Sequence, residues 1–97
     1  MLSEDEELDW ITRYFHALGN KTRLKILLLL TSTERPLHIK AVSRKLKISY
    51  PAVYRHIKTM KNADILRIYE VGRSRVVTVK SPEMHSEVIN FIKKHKL

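Results

Sequence analysis

The apolar repeat of this chain changes period after Asp64, and that change limits the folds open to it. Ahead of it, Ile39, Val42 and Leu46, then Val53, Ile57 and Met60, recur every three or four residues. That is the spacing of helices with one buried face. Beyond it, Leu66, Ile68 and Glu70 alternate with Arg67 and Tyr69, and Val77 and Val79 alternate with Thr78 and Lys80. A period of two belongs to strands. The reading is therefore a helix over Leu37–Leu46, a turn at Lys47–Ile48, and a helix from Ser49 to about Ala63. Strands Ile65–Glu70 and Arg75–Lys80 follow, joined through Val71, Gly72, Arg73 and Ser74. Helix, turn, helix and hairpin in this order make a winged helix-turn-helix, with residues 37–63 as the helix pair and 65–80 as the wing.

Helices flank this segment on both sides. Ser3 can cap the first, with Glu6 three residues on completing a capping box. Leu8, Ile11, Phe15 and Leu18 mark one apolar face, with Trp10, Tyr14 and Ala17 beside it. Gly19 stops this helix and Asn20 caps a second, apolar nearly all round from Leu24 to Leu30, which belongs in the middle of a core. Ser81, Pro82 and Glu83 read as the start of a last helix over 82–96, with Met84, Val88, Ile89, Phe91 and Ile92 apolar. The 97 residues then form one mainly α (α+β) domain. Its terminal helices, 4–18 and 82–96, show more apolar surface than a small core can cover. Leu8, Ile11, Phe15, Val88, Phe91 and Ile92 are the expected interface of a homodimer.

Charge indicates the other partner. The formal net charge is +9. The acids gather at the N-terminus as Glu4, Asp5, Glu6, Glu7 and Asp9, so the rest of the chain is more basic than the total implies. Between Pro36 and Lys80 only Asp64 and Glu70 are acidic. Such a balance favours a polyanion, and on this scaffold double-stranded DNA. With Val53, Ile57 and Met60 buried, a turn of about 100° per residue places Pro51, Tyr54, Arg55 and Lys58 on the opposite side. Arg55 has the fork that matches a guanine edge. Tyr54 can meet a thymine methyl or a phosphate, and Tyr50 a phosphate from the first turn. Lys58 and Lys61 read as clamps on the backbone, and Lys40 joins them from the preceding helix. Ser49 caps the second helix, whose first N–H groups suit a phosphate. Gly72 permits a tight hairpin tip, and Arg73 and Arg75 there can reach a minor groove. His56 falls at the edge of the buried stripe and reads as a packed, hydrogen-bonded histidine.

Other classes fit less well. There is no cysteine, which excludes disulfides and thiolate metal sites. No glycine-rich phosphate loop, carboxylate pair or nucleophile constellation is present, and His16, His38 and His56 lack partners at catalytic spacing, so no enzyme is expected. The longest apolar run, Ile26–Leu30, is far short of the ~20 residues of a membrane span. The acidic N-terminus does not suit a secretory signal, so a cytoplasmic protein is expected. Glutamine is absent as well as cysteine, a composition that agrees with a thermophilic source such as an archaeon or its virus.

Three stretches resemble the ArsR-like winged-helix transcription regulators. Phe15-His16-Ala17-Leu18-Gly19-Asn20-Lys21-Thr22-Arg23-Leu24-Lys25-Ile26-Leu27 is similar to that family's opening. Ser49 with Val53-Tyr54-Arg55-His56-Ile57 is similar to its recognition helix, and Ile65-Leu66 with Gly72-Arg73 to its wing. The resemblance implies a homodimeric regulator, most simply a repressor that occludes its operator, with dimer contacts on the first and last helices. The alternative is an architectural protein that binds DNA without regard to sequence. Departures are visible. The family's Cys-x-Cys sensor is missing. Glu83, His85, Glu87 and His95 do not match the spacing of its carboxylate–histidine site, so they read as surface groups. No metal, cofactor or small-molecule effector is expected. Lys47 and Asp64 stand where the family often has glycine.

Overall fold

The computed structural model describes residues 2–33 and 35–96. Helix α1 (Glu4–Leu18) starts where Ser3 Oγ accepts the Glu6 N–H at 3.2 Å. Glu6 answers by accepting the Ser3 hydroxyl proton, not the Ser3 backbone N–H, so half of the expected capping box forms. Helix α2 (Lys21–Thr31) is capped by Asn20, which accepts the Arg23 N–H at 3.1 Å. Its Ile26, Leu27 and Leu30 are buried, as a helix apolar on most sides requires.

The chain then makes a strand that the sequence reading missed. β1 (Leu37–His38) precedes helix α3 (Ile39–Leu46), so the expected helical start at Leu37 is corrected to Ile39. Two residues carry no periodicity. β1 exists because Leu37 and His38 pair with Val77 and Val76 of the wing. Helix α4 (Tyr50–Asn62) follows, then β2 (Leu66–Val71) and β3 (Ser74–Val79). The antiparallel sheet runs in the order β1-β3-β2. The wing turn is tighter than the four residues expected. Only Gly72 and Arg73 separate the strands, because Val71 pairs with Ser74. Gly72 has a positive φ of 61° and Arg73 does not, the pattern of a type II′ hairpin turn.

Helices α3 and α4 end alike. Lys47 adopts φ 57° and Asp64 φ 65°. The Ile48 N–H donates to the Ser43 carbonyl, and the Ile65 N–H to the Met60 carbonyl. These six-residue closures are Schellman caps, whose left-handed residue is usually glycine. Here the motif forms with a lysine and an aspartate in its strained position.

The end of the chain also differs from expectation. Ser81 takes a left-handed φ of 51° and its side chain caps nothing. Residues Pro82–His85 form one turn of 3₁₀-helix, and α5 proper is Ser86–His95. The Ser-Pro-Glu start therefore makes a corner, not an α-helical cap.

The core gathers Ile26, Leu27, Ile39, Val42, Val53, Ile57, Met60, Ile65 and Val77, all 0% exposed. Val53, Ile57 and Met60 are the stripe expected of α4. On α1 the buried face is Tyr14, Ala17 and Leu18, whereas Leu8, Ile11 and Phe15 stay exposed.

Lys47 is exposed, and its side chain forms no hydrogen bond or ion pair among the described residues. Lys47→Gly is expected to stabilise the fold by about 0.5–1 kcal/mol, the relief of left-handed strain net of added unfolded-state entropy. Asp64→Gly should gain less, since Asp64 pairs with Lys80 at 2.8 Å. Urea unfolding of both variants checks the order.

Candidate nucleic-acid interface

Burial of Val53, Ile57 and Met60 fixes the rotation of α4 about its axis. Pro51, Arg55 and Lys58 are then exposed, with Tyr50 and Tyr54 half-buried beside them. Ser49 Oγ accepts the Ala52 N–H at 3.4 Å, and since Pro51 has no N–H, Tyr50 alone keeps a first-turn amide outside the helix's own bonds.

The wing leans on this helix. The Arg75 guanidinium lies 4.8 Å from the centre of the Tyr54 ring, and Lys58 Nζ lies 5.6 Å from it. Tyr50 stacks on Tyr54 with centroids 6.1 Å apart. Cation–π contact of this kind contributes about 0.5–1 kcal/mol at an exposed site. It holds the tip of the wing against the outward face of α4. Beside it, His38, Lys40, Tyr50, Arg73, Ser74 and Arg75 line a small cleft of about 30 Å³. A wider groove of about 390 Å³ runs between Tyr50, Glu70 and the wing tip.

The fold thus brings Lys40, Ser49, Tyr50, Pro51, Tyr54, Arg55, Lys58, Arg73 and Arg75 to one side. Lys61 is not part of this group. It lies at the far end of α4, in a groove with Asp64, Arg67, Tyr69 and Lys80. His38 joins the cluster without having been expected there. Its signal was hidden, because only the pairing of β1 with β3 carries it to the wing.

Among the described residues the one ion pair is Lys80–Asp64. No cation of the α4 and wing face forms an ion pair among the described residues, and the carboxylate beside them is Glu70, which faces Arg75 across the hairpin. Their field points into solvent.

His56 supports this face from beneath. Arg23 donates from Nε to the Ala17 carbonyl and from Nη1 to His56 Nδ1 at 3.2 Å. An arginine only donates, so Nδ1 must be unprotonated and the ring neutral. Burial lowers the His56 pKa, and the charges of Arg23 and Arg55 lower it further.

The interface candidates Leu8, Ile11, Phe15 and Phe91 are exposed, Phe15 to 58% and Phe91 to 65%. Val88 and Ile92 are half-buried beside them. His85, read as a surface histidine, is instead 0% exposed, with both ring nitrogens engaged by Tyr14 and the Lys80 carbonyl. Neither nitrogen is free for a metal. No group of three or more His, Cys, Asp or Glu with metal-binding geometry occurs among the described residues. No described helix is long and apolar enough to cross a membrane.

Helix pair, three-stranded sheet and basic hairpin define a winged helix-turn-helix. Residues 20–67 match the family model described as bacterial regulatory protein, arsR family. That stretch is similar to the arsR-family domain. Solved structures share the whole architecture. The homodimeric winged helix-turn-helix DNA-binding domain of Mb0332 from Mycobacterium bovis superposes with a TM-score of 0.83 at 18% identity, covering 97% of this chain and 90% of that one. Reduced HlyU from Vibrio cholerae gives 0.79 at 17% identity, with 96% of each chain covered. NolR from Sinorhizobium fredii gives 0.78 at 18%, covering 98% and 95%. At such identities the likeness is one of fold. A search of curated sequences found no match.

Because the folded-state pKa of His56 lies below its unfolded value of about 6.5, folding favours the neutral ring. The contribution is complete above that unfolded value and is lost as pH falls through the folded pKa. The urea midpoint is expected to fall between pH 7.5 and 5.5. His56→Asn, which offers an oxygen near the Nδ1 position and does not titrate, should flatten that fall.

Proposed function

We propose that this protein is a homodimeric, sequence-specific double-stranded DNA-binding transcription regulator that represses by occupying its operator. The observation that carries the reading is the set of cations, outside any ion pair among the described residues, on the outward face of α4 and on the wing pinned to it. A basic surface alone would bind any polyanion. This one is carried on a helix end shaped for a major groove and a hairpin shaped for the groove beside it. The arsR-family match over 20–67 supports the regulatory role.

In this reading Arg55 makes the base contact, with its fork toward a guanine. Lys58, Lys40 and the Tyr50 N–H at the start of α4 hold phosphates. Tyr50 and Tyr54 pack against sugar or a thymine methyl. Arg73 and Arg75 follow the wing. Lys61, set apart from the cluster, serves at most a flanking phosphate. The exposed stripes of α1 and α5 close a two-fold dimer through Leu8, Ile11, Phe15, Val88, Phe91 and Ile92. Two recognition helices then meet successive turns of one DNA face, about 34–36 Å apart. A cytoplasmic location follows from such a role.

Selection of duplexes from a random pool at near-physiological salt tests this. A palindrome with half-sites one turn apart is expected. Retention of DNA without sequence enrichment would favour an architectural role, and no retention would reject DNA as the partner. On the selected operator, Arg55→Ala should remove preference at one base step, about 1–3 kcal/mol. Lys58→Ala should weaken all duplexes alike and lower the salt slope by about one. In sedimentation, Phe91→Glu is expected to convert the dimer to a folded monomer, since it buries a charge in an apolar seam.

A further inference from the structure

His85 is the one polar side chain fully buried among the described residues, and it sits where three parts of the molecule meet. Its Nε2 lies 2.9 Å from the Lys80 carbonyl at the foot of the wing. A carbonyl only accepts, so Nε2 carries the proton. In the neutral ring Nδ1 is then a bare lone pair, and the Tyr14 hydroxyl of α1 donates to it at 2.8 Å. Tyr14 is 5% exposed, and burial pushes its phenol pKa up, which keeps that proton in place. The two rings are parallel within 3°, with centroids 5.6 Å apart, and Trp10 stacks on Tyr14 in turn. From Lys80 the chain of contacts continues. Its N–H donates to the Ile65 carbonyl, and its Nζ pairs with Asp64, the left-handed cap at the end of α4.

Apolar contacts tolerate small sliding, whereas two directional hydrogen bonds through one planar ring do not. An apolar pair of the same size would fill this space at similar stability. What it would lack is a fixed orientation between α1, the turn that opens α5, and the wing. We propose that Tyr14 and His85 are positioning residues for DNA binding. They hold the interface helices at a set angle to the α4–wing unit, and so fix the distance between the two recognition helices of a dimer. This inference rests on the dimeric reading given above.

The chain has no cysteine, so one nitroxide can be placed by Asn62→Cys near the exposed end of α4 and the distance measured across the dimer by pulsed electron resonance. The parent should give one narrow distribution. Tyr14→Phe, which removes only the hydroxyl, should broaden it at least twofold while the protein stays folded and dimeric. His85→Gln, which can still donate to Lys80 but loses the acceptor ring, should do the same. On DNA, both variants should lose most of their discrimination between half-site spacings one base pair apart, while affinity for a single half-site stays within about twofold. Unchanged widths in folded, dimeric variants would overturn the proposal. So would loss of the fold in both, which would assign the pair to stability alone. Absence of any dipolar signal in the parent would instead remove the dimer, a failure visible before any variant is made.

Discussion

The burial of three side chains on one helix decides most of what this molecule presents to solvent. Val53, Ile57 and Met60 are 0% exposed, and each is held by a core contributed from α2, α3 and the sheet. With that stripe sealed inside, α4 cannot rotate without opening cavities, at a cost of several kcal/mol for residues of this size. The positions of Arg55, Lys58 and the two tyrosines follow from the packing behind them. A polar face on an isolated helix would have no such definition, since helical stability in a small protein comes chiefly from packing one apolar side.

The wing is positioned by a different kind of force. Its strands are tied to the domain through Val77, buried, and through β1, which pairs on its inner edge. Its tip is positioned by Arg75 over Tyr54. The type II′ turn at Gly72 leaves no slack, so the hairpin end moves as part of the sheet. Helix and wing therefore pack as one unit. The terminal helices join it through Tyr14, Ala17 and Leu18 of α1 and Ile89 of α5 in the core, and through the hydrogen bonds of His85.

Most of this architecture was legible in the sequence because its signals are local. The change of apolar period located the wing, and the caps at Ser3, Asn20 and Ser49 located helix starts. The glycine-like positions of Lys47 and Asp64 came from likeness to a family, and both residues do adopt the left-handed conformation. Three features were not legible. β1 is two residues long and is defined by its partner strand, not by any pattern of its own. The Ser81 corner imitates a helix start in composition, but its backbone turns left-handed after the sheet ends. His85 sits among polar neighbours in the sequence, and nothing local marks it as buried. Its environment is made by Tyr14, which lies 71 residues away. Of the candidate interface, the stripe on α4 and the basic wing tip could be read from the chain. The separation of Lys61 from them needed the three-dimensional path of β2.

The scarcity of ion pairs has a consequence for the free protein. With a net charge of +9 and one ion pair among the described residues, the folded state gathers like charges that the unfolded chain can spread apart. Dissolved salt screens that repulsion over about 10 Å at 0.1 M. Salt should therefore strengthen the fold while, on the proposed function, it loosens the grip on DNA, and the two equilibria run in opposite directions along one axis. A polyanion fitted to the basic face relieves the same repulsion at its source. The duplex then acts as a stabilising ligand by mass action, and the protein is most resistant to unfolding where it is bound.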